Sequence, residues 1–285
     1  MMPSMATNNA LEGLTFQQVS YTYPGALEPA VVELNLTIPQ GYKTVILGRN
    51  GSGKSTVLLL AAGLYRGYRG VITWRGEPLQ HHWSWRRRIG LTFQDPEHQL
   101  VGATVAEDIA YGLNNLSLSR SAMTERLTQI LQDFDLVSLA DVPLHDLSLG
   151  QKRRVALAGV MALQPELLLL DEPTTYLDLQ QTQGFLGLLH RIHQQGTTLV
   201  MATHDIDLAY AWADWVVWLE GGRLRVAGWA DHVWSYRELL NDLGTPTLQA
   251  AWQALPASWR GPHPAPKTLA AWQTYWHWWL NVDGA

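Results

Sequence analysis

Gly48-Arg49-Asn50-Gly51-Ser52-Gly53-Lys54-Ser55 is the stretch that decides how this chain folds. It follows the pattern G-x-x-x-x-G-K-[ST], in which the glycines let backbone N–H groups converge on phosphate oxygens at the positive end of the next helix. In such a loop Lys54 reaches the β- and γ-phosphates of a nucleotide and Ser55 holds Mg²⁺. Gly48, Asn50, Gly51, Ser52, Gly53 and Thr56 complete the predicted cradle. A chance match is expected in roughly one chain in a hundred of this length. The flanks argue against chance: Thr44–Leu47 reads as a short buried strand and Lys54–Leu64 as an apolar helix.

Working outward, Val32, Leu34, Leu36 and Ile38 alternate with polar residues, the period of a half-buried strand. Residues 104 to 147 read as helical. Thr104 with Glu107 forms a capping-box pattern, and Leu127, Ile130, Leu131 and Phe134 share one helix face. Leu167–Leu170 and Leu199–Ala202 are continuous apolar runs, as expected of parallel strands covered on both faces. The first ends in Asp171 and Glu172. Asp171 at a strand tip suits the outer shell of Mg²⁺, and Glu172 is placed to polarise a water for attack on the γ-phosphate. His204 follows the second strand, where α/β sheets bind ligands. Trp215–Leu219 and Arg223–Val226 read as a hairpin.

Leu147-Ser148-Leu149-Gly150-Gln151 puts a hydroxyl and a bare backbone N–H at a helix start, a second anion site. The order of phosphate loop, Leu-Ser-x-Gly-Gln and strand-Asp-Glu makes residues 14–240 resemble the nucleotide-binding subunits of ABC transporters. The resemblance implies an α/β fold of the P-loop NTPase type, with an antiparallel β subdomain, a helical subdomain at about 95–160, and ATP sandwiched between two subunits. Ser148, Gly150 and Gln151 would then face ATP held by a second ATP-binding subunit, in a homodimer or heterodimer. The resemblance also assigns Tyr23 to adenine stacking, with Tyr21 as a rival. It gives Gln94 to Mg²⁺ and the membrane partner, Asp178 to the dimer-crossing loop and His204 to the γ-phosphate. Lys54, Glu172 and His204 form the implied catalytic set, and Ser55, Gln94 and Asp171 the implied metal set.

Phe93-Gln94-Asp95-Pro96-Glu97-His98-Gln99-Leu100, continuing into Thr104–Gly112, is similar to the energy-coupling-factor branch, bacterial uptake systems for vitamins and for cobalt or nickel. Bulky Leu149 leans toward the cobalt/nickel type. Thr175-Tyr176-Leu177-Asp178-Leu179 departs from the family's usual A-G-L-D-P or S-A-L-D-P. In this family the Gln94–Gly112 stretch borders a groove for short helices of a transmembrane subunit, with Leu100, Val101 and Val105 as candidate lining.

Composition narrows the setting. A net charge of −5 argues against a general nucleic-acid binder. Zero Cys excludes disulfides and thiolate chemistry. No apolar run approaches the ~18 residues of a membrane span, and Met1–Gly13 lacks the pattern of a signal peptide. The expectation is a peripheral protein on the cytoplasmic face of the membrane, held by a partner. Trp83, Trp85 and Arg86-Arg87-Arg88 raise the alternative of nucleic-acid stacking, against which stands a solvated strand-edge turn. Residues 241–285 read as an appendage; from residue 245 its charges are Arg260, Lys267 and Asp283, beside Trp252, Trp259, Trp272, Trp276, Trp278 and Trp279. Pro256 and the Gly261–Pro266 stretch split it into two helical pieces. Its tryptophans either pack on protein or meet a lipid interface; packing is preferred because interfacial helices carry more Lys and Arg. A motor subunit is the leading function. The competing readings are a soluble ABC-type module acting on nucleic acid or protein complexes, and an ATP-binding scaffold without turnover.

Overall fold

The computed structural model describes residues 12–79, 83–116, 118–260 and 264–282. The reading of the N-terminus through residue 11, and Gly261, Pro262, His263 and Asp283, lie outside the described residues, as do the side chains of Trp83 and Arg86.

The described residues open with antiparallel β1 (Gly13–Tyr21) and β2 (Val31–Pro39). Strand β3 (Lys43–Leu47) runs into the phosphate loop and α1 (Lys54–Ala61). β4 (Arg69–Trp74) and β5 (Glu77–Pro78) return to the first sheet, of order β2-β1-β4-β5. α2 (Trp83–Arg88) leads into β6 (Ile89–Thr92). A helical layer follows, built from α3 (Val105–Leu113), α4 (Arg120–Asp133) and α5 (Leu149–Met161). Then come β7 (Leu167–Asp171), α6 (Leu179–Gln194), β8 (Thr198–Thr203) and α7 (Ile206–Trp212). The hairpin β9 (Trp215–Glu220) and β10 (Arg223–Trp229) completes the second sheet, of order β10-β9-β3-β8-β7-β6. Short helices close the chain: α8 (Ala230–Val233), α9 (Arg237–Leu243), α10 (Thr247–Ala254), α11 (Ala257–Arg260) and α12 (Leu269–Val282).

The second sheet is parallel except for β10. Covered on both faces, it needs apolar residues at successive positions. Leu168 and Leu170 pack into the helical side with Ile109, Val155 and Leu189. Leu167 and Leu169 face the other way, joining Val57 and Leu60 of α1 and Leu14, Phe16 and Ile38 of the first sheet. This arrangement aims the carboxyl ends of β3, β7 and β8 at one side, where ligands of such sheets bind.

Several local expectations are corrected. In β2 the buried residue is Val31, not Val32, because Glu33 adopts a left-handed φ of 45° and the register with β1 shifts. α1 ends at Ala61, three residues early, with Gly63 at φ 70°. Thr104 caps α3 by accepting the Glu107 N–H, but the Glu107 carboxylate turns to the Ala103 N–H, so only half of the capping box forms. The Trp83–Arg88 segment is a helix rather than a turn. Trp85 is buried and its Nε1 donates to the Ala61 carbonyl at 2.9 Å, while Arg88 pairs with Glu77 and Glu166. Among the described residues beyond 245 there are three helices, because Pro256 separates α11 from α10. Trp252 is buried there, edge-on to Tyr275 at 4.8 Å, whereas Trp259 and Trp278 stay about 40% exposed.

Candidate functional site

The phosphate loop bends where only glycine fits. Gly48 has φ 157°, and a Cβ there would lie 2.4 Å from the Leu219 carbonyl oxygen. Gly53 has φ 97°, and its Cβ would lie 2.7 Å from the Ala30 carbonyl. The β-hairpin and the β1–β2 connection therefore press on the loop from behind, and larger residues would push it out of shape. Lys54, at the start of α1, is buried and donates from Nζ to the carbonyls of Gly48 at 2.8 Å and Arg49 at 3.2 Å. Burial holds its ammonium below the ordinary lysine range, opposed by the carboxylates of Glu172 and Asp171.

Ser55 Oγ donates to Asp171 Oδ1 at 3.0 Å, joining the first turn of α1 to the tip of β7. Burial pushes the Asp171 carboxyl up, and the Ser55 hydrogen bond pulls only part of the way back. Glu172, the next residue, is 7% exposed and takes a left-handed φ of 44°. A non-glycine residue pays for that conformation, and here several contacts hold it. Glu172 Oε1 lies 2.9 Å from His204 Nδ1, and Oε2 accepts the Thr203 hydroxyl at 3.2 Å and the Thr175 hydroxyl at 3.5 Å. Its backbone N–H donates to the Ala202 carbonyl on β8. Buried Arg153 donates from Nη1 to the Glu172 carbonyl at 3.1 Å and from Nη2 to the Thr175 carbonyl, fastening α5 beneath this turn.

These groups surround a cleft of about 640 Å³. Its walls include Tyr23, Asn50, Gly51, Ser52, Gly53, Lys54, Ser55, Thr56, Gln94, Glu172 and His204. Asp171 sits beneath it through its bond to Ser55. The two tyrosines meet edge-on at 5.1 Å but face different surroundings. Tyr21 is buried and stacked on Tyr65 at 5.3 Å, while Tyr23 stands at the cleft with its hydroxyl 2.9 Å from Thr56 Oγ1.

Four expected site residues lie elsewhere. Ser148, Gly150 and Gln151 line a separate depression of about 270 Å³ with Leu177, Gln181 and Arg191. There Ser148 Oγ accepts the Gln151 N–H and Gln151 Oε1 accepts the Ser148 N–H, a complete capping box for α5. Asp178 caps α6 in the same way, with Gln181 as its partner. Ser148 and Asp178 are both exposed at these helix starts.

Sequence reading missed Arg153, Thr203 and the wall formed by Thr175 and Tyr176. For Arg153 the only signal is its place in the basic run after Gln151. Thr203 precedes His204 and faces the strand beside it, so its partner becomes visible only once β7 and β8 pair.

The chain matches the ABC transporter family over residues 31–175. The cobalt import ATP-binding protein CbiO of Rhodobacter capsulatus is 44% identical over 231 residues, spanning 80% of this chain and 82% of the relative. The energy-coupling factor transporter ATP-binding protein EcfA of Carboxydothermus hydrogenoformans is 39% identical over 236 residues, 81% of this chain and 87% of the relative. Among solved structures, CbiO1 of Clostridium perfringens, described as part of the ABC transporter complex CbiONQ, superposes with a TM-score of 0.72 at 34% identity. That alignment covers 81% of this chain and 93% of the other. With a glycine-bent phosphate loop, a buried glutamate beside it and these relatives, the chain belongs to the ABC transporter family, as an ATP-binding subunit of the CbiO/EcfA type.

Proposed function

We propose that this chain is the ATP-hydrolysing motor of an energy-coupling-factor importer, taking up cobalt, nickel or another micronutrient. The observation that carries the reading is the Glu172 carboxylate. It is buried, fixed by Thr203 and His204, and set in the same cleft as Lys54 and Ser55. In this role Tyr23 stacks on the adenine and the loop from Gly48 to Thr56 holds the phosphates. Lys54 exchanges its two carbonyl partners for β- and γ-phosphate oxygens. Glu172 takes a proton from the attacking water, and His204 bridges Glu172 to the γ-phosphate. A fixed base of this kind contributes about 10²–10⁴ to the rate.

Mg²⁺ fits the residues present. Ser55 and Asp171 offer oxygens 3.0 Å apart, with Gln94 on the same cleft. Among the described residues no group of three or more His, Cys, Asp or Glu forms a metal cage. Few protein oxygens supplemented by phosphates is the arrangement Mg²⁺ prefers. When bound, the ion would neutralise charge on the β- and γ-phosphates.

The separation of Ser148, Gly150, Gln151 and Asp178 from the cleft supports a shared site. A second ATP-binding subunit would bring its own copies of these residues to the nucleotide. A transmembrane subunit would dock at the open depression of about 580 Å³ lined by Leu100, Gly102, Thr104, Pro143 and Leu144. Of the three residues expected there, Leu100 lines it. Val105 is fully buried in the hydrophobic core, and Val101, 64% exposed, does not line the depression, so neither plays the expected part. Lys152 of α5 bonds Glu97 at 2.5 Å, linking this depression to the segment that begins at Gln94. No helix among the described residues is long and apolar enough to cross a membrane. In this reading the chain is held on the cytoplasmic face of the membrane by the transmembrane subunit, and nucleic acid plays no part. In this reading residues 14–240 form the ATP-binding unit, with its helical part at about 95–160, and 241–285 the appendage.

The test is ATP hydrolysis by the purified chain with and without Mg²⁺, repeated with membranes from its source. Mg²⁺-dependent turnover and retention on those membranes are expected. No Mg²⁺-dependent turnover even with those membranes would contradict the reading.

A further inference from the structure

The corner formed by the end of α9 and the start of α10 contacts two residues near the nucleotide cleft, Arg49 and Asp207. Arg49, the second residue of the phosphate loop, extends its guanidinium to Asp242 in the last turn of α9. Its Nε lies 2.9 Å from Asp242 Oδ1, and its Nη2 donates to the Asp242 carbonyl at 2.9 Å. Three residues past Gly244, Thr247 donates its N–H and its hydroxyl to the two carboxylate oxygens of Asp207, at 2.6 and 2.9 Å. Asp207 lies in the first turn of α7, three residues after His204. The corner thus spans from the phosphate loop to α7, the helix that begins two residues after His204.

Arg49 is also where the loop is fastened internally. Its carbonyl accepts both Lys54 Nζ at 3.2 Å and the Ser52 N–H at 3.1 Å. A residue that fixes the Arg49 side chain therefore fixes the peptide that Lys54 and Ser52 lean on. The Asp242 side chain is 19% exposed, and its Oδ2 is buried with no partner. A buried carboxylate oxygen left unpaired costs free energy, and Arg49, 70% exposed itself, is the charged partner that Asp242 Oδ1 has in this position.

We propose that Asp242 is a positioning residue for ATP binding, acting through Arg49 to hold the phosphate loop in its nucleotide-ready shape. Preorganised loops bind more tightly because less ordering remains to be done on binding. The proposal rests on the cleft being the ATP site. It makes the segment after the ATP-binding unit a contributor to nucleotide affinity, and gives the Trp-rich appendage a mechanical route to the phosphate loop.

The experiment is equilibrium titration of the full-length chain with ATP in EDTA, where turnover does not interfere. Wild type, Arg49→Ala, Asp242→Ala and the double substitution are compared, each with its melting temperature. Either single change should weaken ATP binding about 3- to 10-fold, and the double change should weaken it no more than the worse single one. Binding unchanged in both single variants, even with a lowered melting temperature, would show a merely structural contact and overturn the proposal. Losses that multiply in the double variant would overturn it too, since the two residues would then act independently. Should wild type itself not bind ATP, the assignment of the cleft fails instead.

Discussion

His204 Nδ1 lies 2.9 Å from Glu172 Oε1 across the carboxyl ends of β8 and β7. With Glu172 serving as a carboxylate, which only accepts, Nδ1 is the donor of this bond. The Nε2 edge is left for the cleft, where the His204 side chain is 60% exposed. One ring thus orients the buried glutamate and presents its other nitrogen to a ligand. His204→Ala should lower kcat by roughly 10²–10³, the worth of one lost transition-state contact, with ATP affinity changed far less. A titration with ATP beside steady-state kinetics separates the two; equal losses in both would mean that His204 serves only to bind.

Ser148 and Lys54 border different depressions of one chain, so complementation between chains is expected. Protein carrying Lys54→Ala and protein carrying Ser148→Arg should each be inactive. Mixed, they form dimers with one doubly damaged site and one intact site, and should recover part of the ATPase rate. No recovery despite dimers in solution would count against sharing, and a requirement for a second, related chain would reveal a heterodimer.

For docking, Leu100→Asp should release the protein from membranes that hold its partner while leaving ATPase activity in solution within about two-fold. A charge on an apolar groove wall costs association without touching the cleft. Deleting residues 245–285 is the comparison. If that deletion alone empties the membrane fraction, the tryptophans are the anchor and the groove assignment is wrong.

Glu166 fastens the first sheet to the second. It accepts from Trp74 Nε1 at 2.8 Å and from Arg88 Nε at 2.9 Å. Burial alone would raise its carboxyl, but the bonds from Arg88 and Trp74 and the nearby Arg75 outweigh that and hold it below the ordinary range. A folded-state value below the unfolded one stabilises above the unfolded pKa, about 4.3 for Glu, and that stability fades as pH falls through the folded value. Glu166→Gln should therefore cost of order 1 kcal/mol at neutral pH, discounted for its partial exposure. The gap to wild type should narrow below about pH 4. Urea melts at several pH values read this directly; a gap independent of pH would assign the loss to packing.

The phosphate loop was legible because its chemistry is local: the glycines, Lys54 and Ser55 are adjacent in the chain and cannot be arranged otherwise. β7 and β8 were legible because strands covered on both faces demand unbroken apolar runs. Val31 was not, since the left-handed turn at Glu33 has no glycine to announce it. Arg153 and Thr203 were not, because each acquires its role from Glu172, a residue 19 or 31 positions away. The half-formed cap at Thr104 shows the limit of pattern reading, which sees that Glu107 can reach back but not which N–H it meets. Trp85 looked like part of an aromatic and basic surface, and became core once its indole found the Ala61 carbonyl.

Glu172→Gln tests the central claim most directly, measured as ATP affinity and Mg²⁺-dependent turnover on the same preparation. The account predicts ATP binding within about two-fold of wild type and turnover slowed by ~10²–10⁴, because the amide keeps the shape but cannot take a proton from water. Hydrolysis at the wild-type rate by this variant would contradict the assignment of Glu172 as the base.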